Sequence, residues 1–146
     1  MRRHPGLAPL SRDHLQALIA GRSLRDLPVE VGEGDRRVAL TTFLDFWRDE
    51  GAAHFREEEE RLLPWFARFA SLDRPEIARM LLEHADIRGR VMAAQDVLLR
   101  GGAPATGDLR DLGRLFMAHV RLEEDVIFPM IEAAVPAEAW GALGDL

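Results

Sequence analysis

The chain has 146 residues, with 47% hydrophobic and 30% charged side chains, which is one domain's worth of length and enough apolar surface for one core. Its formal net charge of −6 excludes nucleic acid as an expected partner, because phosphate binding needs a basic footprint. There is no Cys, and all nineteen basic residues are Arg, so disulfides, thiolate metal sites, cysteine nucleophiles, Schiff-base lysines and P-loop lysines are excluded.

No stretch approaches the roughly 18 apolar residues of a membrane span. The opening MRRHPGLAPLSRDH places no apolar run behind its arginines, so neither a membrane nor a secretory signal is expected and the cytoplasm is the default address. Three serines (Ser11, Ser23, Ser71) lie outside any GxSxG turn, which gives a serine hydrolase little to work with. The remaining chemistry is histidine plus carboxylate.

Four segments carry helical periodicity, divided by Pro/Gly/Asp-rich breaks. The first is predicted from about Leu7 or Pro9 to Arg22, with Leu10, His14 and Leu18 on one stripe. After a polar connection containing Gly32 and Gly34, the second starts near Asp35 and extends to about Ala70. Phe43, Trp47, Gly51, His54, Glu58, Leu62, Trp65 and Phe69 recur along it at steps of three and four. Pro64 is expected to kink it or to end one helix near Leu63.

The third helix reads as capped by Asp73, with Pro75 at the second helical position and a stripe of Ile77, Met80/Leu81, His84, Ile87, Val91, Ala94 and Leu98. The loop GGAPATG ends it. The fourth begins near Asp108 and carries Leu112, Leu115/Phe116, His119, Glu123, Val126/Ile127 and Met130, and the tail PAEAWGALGDL is expected to add a short extra helix. No run alternates with period two, so the expected fold is all-α: an up-down-up-down four-helix bundle in a single domain, 1–146, with its core at about 7–132. An internal repeat supports this. HFREEEERLLPWF from His54 matches HVRLEEDVIFPMI from His119, and RDHLQAL around His14 matches LEHADIR around His84 more weakly.

Four of the five histidines, His14, His54, His84 and His119, fall on the apolar stripes, one per helix. A single such histidine is most simply a core residue bonded to a carbonyl; four at matching positions are hard to explain that way. His54 and Glu58 are four apart, as are His119 and Glu123. At about 100° per residue, a side chain at i+4 is displaced by only about 40° and one at i+5 by about 140°, which favours Glu58 and Glu123 over Glu59 and Glu124 as the inward members. The other glutamates of the EEEE run, Glu57, Glu59 and Glu60, read as a solvated face, and His4 reads as an exposed residue of the N-terminal arm. A buried carboxylate costs several kcal/mol unless compensated, and no arginine lies on these stripes. Two carboxylates and four imidazoles suit two divalent or trivalent ions.

An isolated His, an HxxxE, a second isolated His and a second HxxxE, each HxxxE followed by a proline ten residues after its histidine (Pro64, Pro129), resemble the hemerythrin-like, or HHE cation-binding, domain from about His14 to Ile131. The resemblance implies a non-heme di-iron centre, oxo- or hydroxo-bridged, with His14 and His54 on one iron, His84 and His119 on the other, and Glu58 and Glu123 bridging. Ferritin-like bundles use Glu-x-x-His pairs instead, and the chain has none. It departs from the oxygen carriers in placing Arg88, which cannot ligate, where they have a second third-helix histidine, and in placing the fourth-helix acid four residues after its histidine rather than five, which would be Glu124.

Three functions remain open on the residues: a binder or sensor of small diatomics, O₂ or NO; a di-iron redox enzyme or iron-centre repair protein; and a regulatory module stabilised by metal. The absence of Tyr and Cys removes the usual electron relays and weighs against the enzyme. Imidazole and carboxylate suit zinc and manganese as well as iron.

Overall fold

The computed structural model describes residues 2–144, and among these the regular structure is entirely helical. Helix α1 is Ala8–Arg25. The second segment, α2, spans 33–66 as the α-helical stretches Glu33–Phe46, Ala52–Glu57 and Leu63–Phe66, joined by π turns at Trp47–Gly51 and Glu58–Leu62. Helix α3 is Pro75–Leu99. The fourth, α4, spans 106–134 as Thr106–Leu122 and Phe128–Ala134 around a π turn at Glu123–Ile127, and a 3₁₀ turn, Ala137–Ala142, follows as the expected extra element. The result is a helical bundle.

Two details differ from the expected elements. Pro64 neither ends nor interrupts α2. A proline ring clashes with the carbonyl four residues back and offers no N–H. The π turn immediately before it widens the backbone, with the Leu63 N–H bonding to the Glu58 carbonyl five residues earlier, and the helix continues to Phe66. Pro129 follows the turn at Glu123 in the same way, the Phe128 N–H bonding to the Glu123 carbonyl. Leu62 and Trp65 of the expected stripe stay buried, while the helix stops at Phe66 and leaves Phe69 in the turn beyond it, half-buried.

Asp73 is not the cap of α3. Pro75 pushes its predecessor out of the helical region, so Arg74 is the cap residue (φ −138°, ψ 141°) and Pro75 is the first helical residue. The Asp73 N–H donates to Ser71 Oγ at 3.0 Å instead.

Buried apolar residues form two clusters. One gathers Leu10, Leu62, Phe66, Met80, Ile127 and Phe128; the other gathers Ala17, Phe43, Phe55, Ile87, Phe116 and Val120. The histidines and inward glutamates lie between them in every segment: His14 between Leu10 and Ala17, His84 between Met80 and Ile87, His119 and Glu123 between Phe116 and Ile127. Helices α1 and α4 touch along a close crossing. A Cβ on Gly113 would stand 2.5 Å from both the Gly21 carbonyl oxygen and the Arg25 nitrogen, which are backbone atoms and cannot step aside.

Gly113→Ala is therefore expected to cost about 1–3 kcal/mol through overpacking. Gly89→Ala, on an exposed part of α3 where an added Cβ meets nothing within 4 Å, should gain up to about 1 kcal/mol from helix propensity. Thermal unfolding of the two variants checks both signs.

Candidate metal centre

The helical spacing turns His14, His54, Glu58, His84, His119 and Glu123 inward, and all six are buried; Glu58, His84, His119 and Glu123 are 0% exposed. They fall into two overlapping groups, His14–His54–Glu58–Glu123 and His84–His119–Glu58–Glu123, each with ligand-capable atoms within 4.8 Å of one another.

The two carboxylates divide their oxygens between the groups. Glu123 Oε1 lies 2.9 Å from His14 Nε2 and 3.8 Å from His54 Nε2, while its Oε2 lies 3.1 Å from His119 Nε2 and 3.4 Å from His84 Nε2. Glu58 Oε2 lies 3.3 Å from His54 Nε2 and its Oε1 3.4 Å from His84 Nε2. Every ion pair made by Glu58 or Glu123 among the described residues is to a histidine, none to an arginine.

The donor set fits a cation. Both oxygens of Glu58 and the Nε2 of His119 are buried without a hydrogen-bond partner, although buried polar groups are ordinarily satisfied. Four Nε2 atoms and four carboxylate oxygens converge where a positive charge would satisfy all of them.

Each Nε2 faces inward because the opposite ring nitrogen is held from outside. The Nδ1–H of His14 donates to Glu124 at 2.7 Å, that of His54 to Asp13 at 3.1 Å, that of His84 to Glu59 at 2.6 Å and that of His119 to Glu83 at 3.0 Å. A carboxylate accepts only, so each Nδ1 carries a hydrogen and each Nε2 is the ring atom turned to the centre. The pairing runs round the bundle: each histidine leans on an acid from a neighbouring segment.

Asp13, Glu59 and Glu83 are not among the site residues expected from the sequence, where Glu124 enters only as the alternative to Glu123 and Glu59 belongs to the solvated face. It is half-buried, bound to His84 and to Arg88. The signal was present in the repeat: Asp13 and Glu83 immediately precede His14 and His84, and Glu59 and Glu124 immediately follow Glu58 and Glu123.

His4 is also not simply exposed. It stacks on Trp140 with ring centroids 3.7 Å apart, and its Nδ1 accepts the Gly6 N–H. It takes no part in either metal-binding group.

A family profile described as the hemerythrin HHE cation-binding domain matches residues 6–131. The chain belongs to this family. No curated protein and no solved structure matches it significantly. Family membership and the buried His/Glu cluster together make this a cation-binding domain with a site suited to metal.

Within the family pattern, Glu123 takes the inward place and Glu124 an outer one, as the helical rotation requires. Arg88 does not merely extend into solvent but binds Glu59 through both terminal nitrogens, at 2.8 and 3.0 Å. Apolar rings wall the site: Phe55 stacks on His84 at 3.9 Å, and Phe128 lies parallel to His14 at 5.4 Å. A cavity of about 10 Å³ reaches His14, His54, His119 and Glu123 past Phe46, Gly51, Phe116 and Val120, with the exposed Asp13 and Glu50 also in its wall. That is space for about one water-sized molecule.

With no cation between them, the facing carboxylates favour protons on these imidazoles. Burial disfavours the charged imidazoles, but the facing carboxylates outweigh it: His54 is pushed up to about 12, His119 to about 10 and His84 to about 9, and His14 is also raised. The reciprocal effect holds Glu123 well below the usual carboxylate range, His119 and His14 overcoming the penalty of full burial.

Metal must displace these protons, so uptake is expected to release protons at neutral pH and the apparent affinity to rise as pH rises toward 9. Calorimetric titration of zinc in two buffers of different ionisation enthalpy measures the release. No proton release would contradict the raised histidines.

Proposed function

We propose that the chain is a non-heme di-iron protein that binds or senses a small diatomic molecule, O₂ or NO. In this reading His14 and His54 hold one iron, His84 and His119 hold the other, and Glu58 and Glu123 bridge them within a single domain whose four segments alternate up and down. The observation that carries it is the division of the Glu58 and Glu123 oxygens between the two histidine pairs. Two imidazoles and two carboxylate oxygens for each metal leave positions open to an exogenous ligand.

Bound iron supplies those open positions and a reversible redox couple. The chain does the rest. Phe46, Phe55, Phe116 and Val120 keep the approach apolar, and the cavity beside His54 admits a molecule of about the size of water. The outer carboxylates hold the Nε2 atoms in place, and Glu58 and Glu123 balance the charge of the ions where no other anion is buried beside them.

Protein expressed with iron is expected to carry about two ions per chain, with near-ultraviolet absorption that bleaches on anaerobic reduction and returns with air or changes with NO. Mass-spectrometric metal analysis and absorption spectra measure this; metal-free protein, or spectra indifferent to redox state, would sink the reading. Steady consumption of reductant would instead favour the enzyme.

Glu58→Ala and Glu123→Ala should each lower the iron content, since each removes a bridge. Two ions retained by both variants would overturn the bridging assignment.

A further inference from the structure

Two guanidinium groups reach the centre from unrelated parts of the chain and end in the same arrangement. Arg88, in the middle of α3, grips Glu59, whose Oε2 accepts His84 Nδ1–H at 2.6 Å; its guanidinium lies 5.5 Å from the centroid of Phe55, the ring stacked on His84. Arg3, in the arm before α1, donates through Nη2 to Glu124 Oε2 at 2.7 Å and to the Glu124 carbonyl at 2.8 Å. Glu124 Oε1 accepts His14 Nδ1–H at 2.7 Å, and the Arg3 guanidinium lies 5.4 Å from the centroid of Phe128, the ring parallel to His14. Arg3 is tied down further by Glu132, which also accepts the His4 backbone N–H at 2.6 Å.

The internal repeat does not explain this likeness. The position in the first half that corresponds to Arg88, four residues after the histidine, is Leu18, and Arg3 comes from outside the repeat altogether. Phe55 and Phe128 occupy different repeat positions as well. Arg79 also binds an acid that holds a histidine, Glu83 on His119, but it is 62% exposed; the arginine–carboxylate–imidazole chain with its guanidinium beside an aromatic ring is built from different sequence at Arg88 and at Arg3, one in each histidine pair.

We propose that Arg3 and Arg88 are positioning residues of the metal centre, acting through Glu124 on His14 and through Glu59 on His84; this rests on the two-metal reading above. A guanidinium holding a carboxylate by fixed geometry locks that carboxylate's orientation. The locked oxygen then fixes the imidazole plane and keeps a hydrogen on Nδ1, so Nε2 points at the centre before the metal arrives. The N-terminal arm thereby becomes part of the centre, although it supplies no ligand.

The test uses cobalt(II), whose visible absorption reports ligand geometry, in the full chain and in the Arg3→Met, Arg88→Met and Arg88→Lys variants. Metal loss to a chelator, the cobalt spectrum and the melting of the metal-free protein are measured for each. We expect each Met variant to hold one of its ions about 10–100-fold more weakly, with an altered cobalt spectrum and little change in metal-free melting. Arg88→Lys keeps the charge but not the two-pronged grip and should fall between parent and Arg88→Met. Parent-like retention and spectra in both Met variants would overturn the proposal. So would metal loss that merely tracks an equal loss of metal-free stability, which would make the arginines structural. Parent protein that takes up no cobalt would overturn the two-metal reading and the proposal with it, whereas two ions in the parent with unaffected variants would overturn the proposal alone.

Discussion

Two carboxylates with no solvent exposure sit at the centre of this bundle, and the surrounding architecture follows from the need to compensate them. An ionised carboxylate removed from water costs several kcal/mol unless it meets opposite charge and hydrogen bonds. The usual protein solution, an arginine at bonding distance, is not used for Glu58 or Glu123, although the chain is rich in arginine. Histidines occupy the places where guanidinium groups would stand, and the arginines are moved one layer outward, onto Glu59, Glu83 and Glu124. Charge thus alternates outward from the centre: carboxylates and imidazoles inside, carboxylates next, guanidinium groups at the boundary with solvent. A neutral imidazole can give its lone pair to a cation and a guanidinium cannot, so this ordering keeps the centre available to metal.

The backbone carries the same constraint. Two of the three π turns begin at Glu58 and Glu123 themselves, each closed by a bond five residues on and followed by a proline. The α-helical spacing before the turn stacks histidine and glutamate on one face; beyond it the chain packs into the cluster around Leu10 and Phe66, with Leu62, Leu63, Ile127 and Phe128 buried. Widened turns of this kind recur at functional sites, and here the proline accounts for one locally, since the turn relieves a clash that an unbroken α-helix would suffer. The tight α1–α4 crossing at Gly21 and Gly113 holds His14 against the Glu123–Glu124 pair.

Features fixed by periodicity were legible in the sequence. The one-histidine-per-stripe pattern and the i, i+4 spacing of His54–Glu58 and His119–Glu123 carried through to the buried cluster, because an α-helix converts those spacings directly into a shared face. What escaped were features decided by contacts between segments or by the local sterics of proline. Glu59 and Glu124 point away from the metal-facing stripe, as their rotation requires, yet they bind histidines because a neighbouring helix brings one to them. Asp73 looked like a cap on local composition, and the steric demand of Pro75 moved the helix start beyond it. His4 lies outside any stripe, and only the fold brings Trp140 against it. The π turns leave no periodic signature, although each of the two beginning at a buried glutamate is followed by a proline, of which Pro64 reads locally as a helix breaker.

Glu123 faces all four histidines and Glu58 one of each pair; the surroundings of the two pairs differ as well, and this bears on how the proposed centre would work. On the His84 side, Glu59 is half-buried and gripped by Arg88, with Phe55 stacked against the imidazole. On the His54 side, the partner is Asp13, 59% exposed and paired among the described residues with His54 alone. The narrow cavity opens at that corner, past Gly51 of the first π turn, where a Cβ would come within 2.8 Å of the Trp47 ring. The outer layer thus differs between the two histidine pairs, and the cavity is lined by both His14 and His54 but, of the other pair, by His119 alone. In the proposed di-iron reading, exogenous ligand would meet the His14/His54 iron first. The bridging carboxylates, which touch both histidine pairs, would carry the effect of that encounter to the iron held by His84 and His119.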